Sequence, residues 1–258
     1  TDGRWEERRP FVRGGVWDNF LVKYDEANRM HKKMLFLSEQ IPHDKEARES
    51  LWRGQCNCVY WHGVFGGLYL GHLRRAIHEN LIRAQIRLIE TSGGGIKLLQ
   101  LDLDKDGCEE ILMWNPVLSL GLDPDSGGGL FEICHLPCAV NLSDTLTRRR
   151  EAYHHRLHEM TQSDSGNSDS VPSIHDLTRS TDETLERSLI YDDYNRISLL
   201  DHFLSQDATV EAYAANKYDE LGDFVKGEYL IESAFSSPKE AVAVLARTGN
   251  VDERNLTV

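Results

Sequence analysis

Residues 68–101 read LYLGHLRRAIHENLIRAQIRLIETSGGGIKLLQL, and within them the spacing of apolar side chains changes period. Leu70, Leu73, Ile77, Leu81, Ala84 and Leu88 recur every three or four residues, one face of a helix running from about Leu68 to Glu90. Arg74, Arg75, Arg83 and Arg87 fall mostly off that face. Thr91-Ser92-Gly93-Gly94-Gly95 then stops the helix, because three successive glycines cannot sustain it. From Ile96 the period is two: Ile96, Leu98 and Gln100 alternate with Lys97, Leu99 and Leu101. The predicted class is α+β and multidomain, with a helical segment over 1–92 and an antiparallel β-sandwich over 93–258.

Working outward, Trp17, Phe20, Leu21, Tyr24, His31, Met34 and Leu35 form a second helical stripe upstream, ended by Pro42. Asp44 is placed to cap a short helix through Leu51 and Trp52. Downstream, the turn Asp104-Lys105-Asp106-Gly107 precedes the apolar run Ile111-Leu112-Met113-Trp114. Further short strands are expected at Leu130–Ile133, Ser188–Tyr191, Ser198–Leu200 and Glu228–Ile231, with 241–247 compatible with strand or helix. The stretch QSDSGNSDSVPS, 162–173, is polar and reads as a mobile surface loop. The chain stops before the sandwich is obviously closed.

The 258 residues carry 42 acidic and 29 basic side chains, a formal charge of −13. No concentrated basic patch is present to neutralise phosphates, which argues against general nucleic-acid binding. No apolar run approaches a membrane span, and no signal-like segment opens the chain. The expected setting is the cytoplasm. Five cysteines, an odd number, argue against a disulfide framework. Cys56-x-Cys58 and Cys134-x3-Cys138 could offer four thiolates to zinc, but neither has knuckle spacing, and buried thiols are the expectation.

The densest unusual stretch is residues 55–70, QCNCVYWHGVFGGLYL, which opens the longer segment QCNCVYWHGVFGGLYLGHLRR, residues 55–75. Three aromatics, a histidine and three glycines sit just before the long helix. Such a loop suits a sugar subsite: an indole face stacks on the apolar face of a pyranose, while imidazole and amide groups bond its hydroxyls. The candidate contacts are Asn57, Cys58, Tyr60, Trp61 and His62. The competing reading makes Tyr60, Trp61 and Phe65 core anchors at a helix entrance.

This stretch closely resembles the last signature of the family-57 α-amylases and 4-α-glucanotransferases, QCNDxYWHGxFGGxYLPHLR. Two further segments, Arg13–Tyr24 and Asn28-x-Met30-His31-Lys32-Lys33-Met34, resemble that family's helical middle domain. Leu142 with Asp144–His154, and then Tyr191–Phe203, resemble its C-terminal sandwich. The resemblance covers nearly the whole chain.

It implies a galactose-mutarotase-like sandwich, a helical middle segment, and a catalytic barrel that precedes both and is absent from this sequence. Family members cleave α-1,4-glucans with retention, through a glutamate nucleophile and an aspartate acid/base on the barrel. Neither motif is matched here, so no catalytic residue is nominated and the chain alone is expected to be inactive. The resemblance assigns sugar-subsite roles to the tryptophan at Trp61 and to an aspartate where this chain has Cys58. A thiol is a poor acceptor beside a carboxylate, so that subsite is expected to be weakened. The family's proline before His72 is Gly71 here, which would loosen that helix start. Expected partners are α-glucans or maltooligosaccharides, with a homodimer suggested by the resemblance. A non-catalytic glucan-binding or scaffold remnant is the competing class, and mutarotase activity of the sandwich a third.

No cofactor is required by this reading, but Asp102, Asp104 and Asp106 before Gly107 resemble the start of a calcium loop. Met113 stands where an EF-hand needs an acid, and an acidic hairpin turn is the alternative. Arg148-Arg149-Arg150 reads as a salt-bridged strand end. Asp201-His202 looks like a dyad, but its apolar neighbours point to a strand end in the core.

Overall fold

A computed structural model describes residues 17–41, 44–62, 65–151, 154 and 189–258. The expected loop at 162–173 lies outside them. Four helices come first: α1 Trp17–Lys23, α2 Asp25–Gln40, α3 Lys45–Gly54 and α4 Gly71–Thr91. The upstream stripe is therefore two helices, broken at Tyr24, whose φ of −122° and ψ of 88° are not helical. The buried face of α2 is Ala27, Met30, Met34 and Leu37, whereas Leu35 and Trp17, expected in the stripe, are exposed.

Asp44 does cap α3, its Oδ1 accepting from Ala47 N at 2.7 Å. Gly54 lets α3 approach α4, since a Cβ there would lie 2.8 Å from Leu81. Helix α4 ends where the glycines begin. Gly93, Gly94 and Gly95 all have positive φ, and Gly94 N closes back onto Ile89 O at 2.8 Å.

Five antiparallel strands follow: β1 Lys97–Leu101, β2 Glu110–Trp114, β3 Leu118–Asp123, β4 Gly129–His135 and β5 Val140–Asn141, paired in chain order. Leu99 faces Leu112 across the first pair, and Met113 faces Leu120 across the second. A short helix, α5 Val210–Ala214, and two hairpins, β6 Leu230–Ser236 with β7 Ala241–Ala246 and β8 Thr248–Val251 with β9 Arg254–Thr257, complete the described elements.

A helical segment followed by antiparallel sheets is thus the fold class, and no (β/α) barrel occurs among the described residues. Residues 189–191 and 198–200 are not strands, contrary to expectation. Ser198 makes one isolated bridge to Leu130, while Asp192 N is taken by Arg148 O. Backbone committed to such single contacts cannot run a ladder.

The chain divides into two compact units, the described residues of 1–122, 132–144 and 234–242 forming the first, and the remainder the second. In the first unit, helix and sheet are joined by buried polar bonds. Lys33 Nζ on α2 donates to Glu132 Oε1 on β4 at 2.5 Å, both side chains about nine-tenths buried. Gln85 Nε2 on α4 donates to Ser119 Oγ on β3 at 2.8 Å. Asn28 Nδ2 reaches Asp104 O at 2.8 Å. In the second unit, Phe224 is the fully buried centre, with Phe203 and Tyr229 around it. Arg148 closes on Asp192 with two nitrogens, Nε at 3.0 Å and Nη2 at 2.5 Å, which holds the Asp192 carboxyl below the usual range despite its burial.

Removing one partner of a buried ion pair strands the other charge in a poorly solvating interior. Lys33→Met is expected to destabilise the chain by about 3–5 kcal/mol in urea unfolding, and Lys33→Met with Glu132→Leu to recover most of that loss. An equal loss in single and double variants would show that the pair does not couple helix to sheet.

Candidate functional site

The loop between α3 and α4 carries the candidate sugar contacts, and its shape follows from four anchors. Val59, Tyr60 and Leu68 are buried, and Tyr60 donates its hydroxyl to Gly54 O at 2.6 Å. Two turns of 3₁₀ helix, Asn57–Val59 and Gly67–Tyr69, flank the bend. The fourth anchor is the backbone bond from Leu68 N to Trp61 O, 2.8 Å, which closes the loop on itself.

Closure requires glycine. Gly66 and Gly67 have φ of +89° and +48°, and a Cβ on Gly67 would overlap Trp61 O and lie 2.6 Å from Cys58 O.

With these anchors inside, several of the described side chains face water. Trp61 is 46% exposed and Phe65 87%. Asn57 and Cys58 are exposed too, the thiol donating weakly to Asn57 Oδ1 at 3.6 Å. The core-anchor alternative therefore fails for Trp61 and Phe65 and holds for Tyr60. Tyr60 is only 2% exposed with its hydroxyl committed, so it supports the loop and does not offer a face to ligand. Its neighbour His31 meets it edge to face, ring centres 5.8 Å apart.

His62 is half-buried in an aromatic cage. Tyr24 shares a 2.5 Å hydrogen bond between its hydroxyl and His62 Nε2. Phe20 stacks on Tyr24 at 4.3 Å, and Tyr69 lies 4.9 Å from the imidazole. Phe20, Tyr24 and Tyr69 were not among the sequence candidates. The break in the upstream helix at Tyr24 is what turns this ring toward the loop, and the 3.6-residue period conceals such a break.

The carboxylates of Asp102, Asp104 and Asp106 approach within 4.8 Å of one another, close enough to share one cation. Arg29 Nε lies 3.8 Å from Asp104 Oδ2 and already supplies positive charge. Buried Glu110 holds this turn from the strand side, accepting from Leu103 N at 2.6 Å and Asp104 N at 3.3 Å.

Among the described residues Cys56, Cys58, Cys134 and Cys138 form no metal-binding group; Cys56, Cys58 and Cys138 are exposed, Cys108 is half-buried and only Cys134 is buried, which corrects the expectation of buried thiols. Burial pushes the Cys134 thiol well up, so it stays protonated. Asp201 and His202 are not a dyad. Asp201 Oδ2 accepts from Tyr229 at 2.6 Å, while His202 Nδ1 bonds Glu220 Oε2 at 2.7 Å.

An exposed tryptophan on a glycine-closed loop ahead of a long helix is set beside known proteins by two family models. The model described as α-amylase/4-α-glucanotransferase, middle domain, matches residues 15–88, and the one described as α-amylase/4-α-glucanotransferase, C-terminal, matches 102–258. The chain belongs to the α-amylase/4-α-glucanotransferase family.

Relatives agree. A 4-α-glucanotransferase of Thermococcus kodakarensis is 41% identical over 98% of the chain and 37% of its own length. An α-amylase of Pyrococcus abyssi is 45% identical over 88% of the chain and 34% of its own. The crystal structure of 4-α-glucanotransferase from Thermococcus litoralis superposes with a TM-score of 0.76 at 38% identity, covering 99% of this chain and 35% of that one. The chain thus spans about a third of the length of the family members it matches. No helix among the described residues is long and apolar enough to cross a membrane.

Placing a methyl group at Gly67 must push the loop away from Trp61. In Gly67→Ala the Leu68 amide is expected to exchange with deuterium faster, while amides at the centre of α4 stay protected. Unchanged protection at Leu68 would mean the loop tolerates the side chain.

Proposed function

We propose that the chain is part of an enzyme that processes α-1,4-glucans with retention, 4-α-glucanotransferase being the leading activity and α-amylase the second. In this reading the chain supplies a sugar-subsite loop, and the two catalytic carboxylates, set about 5–5.5 Å apart for a retaining mechanism, belong to a barrel outside this sequence. The observation that carries it is Trp61, a large ring left half open to water on a loop whose closure and anchoring fix it in place. A rigid ring binds a pyranose face without first losing rotamer freedom. His62, next in sequence and held by Tyr24, and the exposed Asn57 are the polar groups this reading assigns to sugar hydroxyls. Cys58 offers only a weak acceptor there. The preference for transfer over hydrolysis rests on the resemblance of the sandwich to that of the glucanotransferase branch.

The competing proposal is a non-catalytic glucan-binding or scaffold protein. A reading frame that continues upstream of Thr1 into a barrel with a glutamate and an aspartate on strand ends supports the enzyme; a start codon beside Thr1 supports the scaffold. For the enzyme, maltooligosaccharide mixtures that lengthen and shorten without a rise in reducing ends mark transfer, and a rise marks hydrolysis.

For the chain itself, Trp61→Ala is expected to weaken maltoheptaose binding roughly tenfold with no change in melting temperature. Cys58→Asp is expected to tighten it through charge-assisted bonds. Maltoheptaose affinity untouched by Trp61→Ala would remove the subsite.

A structural calcium at Asp102, Asp104 and Asp106 is a further proposal, supported by the convergence of the three carboxylates. Calcium should then raise the melting temperature, and Asp106→Asn should abolish the rise. Equal melting temperatures in calcium and in chelator would discard it.

A further inference from the structure

The second unit holds an aromatic cluster that the subsite reading does not use. Thr209 caps helix α5, its Oγ1 accepting from Ala212 N at 3.1 Å, and the helix lasts only from Val210 to Ala214. Asn216 then takes a φ of 52° and Lys217 N bonds back to Ala212 O at 2.8 Å. This tight reversal lays Tyr213 and Tyr218 nearly parallel, ring centres 5.0 Å apart and planes 27° apart.

Three further groups lock the pair. His202 points its edge at Tyr213, 5.6 Å at 83°, and packs against Tyr194 at 5.0 Å. Glu220 fixes His202, Oε2 lying 2.7 Å from Nδ1, while its Oε1 accepts from Phe203 N at 2.7 Å. The Tyr194 and Tyr213 hydroxyls meet at 3.3 Å. Bonding to Tyr194 and burial push the Tyr213 phenol up to about 12, so it remains a neutral donor and acceptor at any physiological pH.

Tyr213 leaves 40% of its surface to solvent, with its ring stacked on Tyr218 and its hydroxyl against that of Tyr194. A partly exposed phenol ring held in such a stack suits a pyranose: its apolar surface can meet the apolar sugar face, and the phenol hydroxyls can bond sugar hydroxyls.

We infer that Tyr213 and Tyr218 form a second binding platform for a neutral glucan, separate in sequence from the Trp61 loop. The choice of glucan over other sugars rests on the proposed function; the platform does not. The full chain is titrated with maltoheptaose by calorimetry, as wild type and as the Trp61→Ala, Tyr213→Ala and Tyr213→Phe variants. Wild type is expected to show two sites, with Tyr213→Ala weakening one of them by roughly tenfold or more. Tyr213→Phe keeps the face and should retain most of that site.

Loss in Tyr213→Phe equal to that in Tyr213→Ala would overturn the stacking role. Binding lost in Trp61→Ala alone, with Tyr213→Ala identical to wild type, overturns the platform and leaves the subsite loop standing. Binding lost in Tyr213→Ala alone does the reverse. Chemical-shift changes confined to Tyr194, Tyr213 and Tyr218 on adding maltoheptaose to Trp61→Ala would support the platform independently of stability, and their absence would count against it.

Discussion

In the first unit, Lys33 and Glu132 face each other across 99 residues of chain with almost no access to water. Desolvating one charge alone is far more costly than desolvating a bonded pair, so α2 and β4 are held in one relative register, the one in which nitrogen meets carboxylate. Asn28 to the Asp104 carbonyl and Gln85 to Ser119 impose the same kind of constraint at two other points of the helix–sheet contact. Apolar packing alone tolerates sliding by a fraction of a turn; a buried hydrogen bond does not.

That registry matters for the loop because both its ends belong to helices in the same packing. Gly54 seats the end of α3 on Leu81 of α4, and Tyr60 bonds back to the Gly54 carbonyl. The described part of the loop is held from beneath by three buried side chains, one backbone bond and two glycines at positive φ. The exposed side chains need no contacts of their own to stay in place, and Trp61 can leave much of its ring to solvent. Support here comes from the buried half of the motif, and the exposed half carries the side chains proposed to meet sugar.

Alternation between the two roles explains how the candidate residues were sorted. A composition argument treats Tyr60 and Trp61 alike, as neighbouring aromatics in a glycine-rich stretch. In a 3₁₀ turn followed by a sharp bend, adjacent side chains diverge, and one goes to the core while the next goes to water. Asp201 and His202 repeat the point, adjacent in sequence yet bonded to different partners.

Much of the fold was legible without coordinates. The change of period at Gly93–Gly95, the Asp44 cap and the α4 stripe from Leu73 onward are local matters, decided by propensity, capping geometry and the conformational freedom of glycine, and they stand as read; the helix opens at Gly71, so Leu68 and Leu70 lie ahead of it. So does family membership, which the 55–75 stretch already suggested. What the sequence could not reveal are contacts between distant segments: the break at Tyr24 that brings a phenol to His62, the burial of Tyr60 beneath an exposed Trp61, the Lys33–Glu132 pair, and coil where 189–191 and 198–200 alternate like strands. Local patterns record what a segment can do with its own neighbours. Whether a ring ends in the core or in water depends on what packs against it, and only the tertiary structure supplies that.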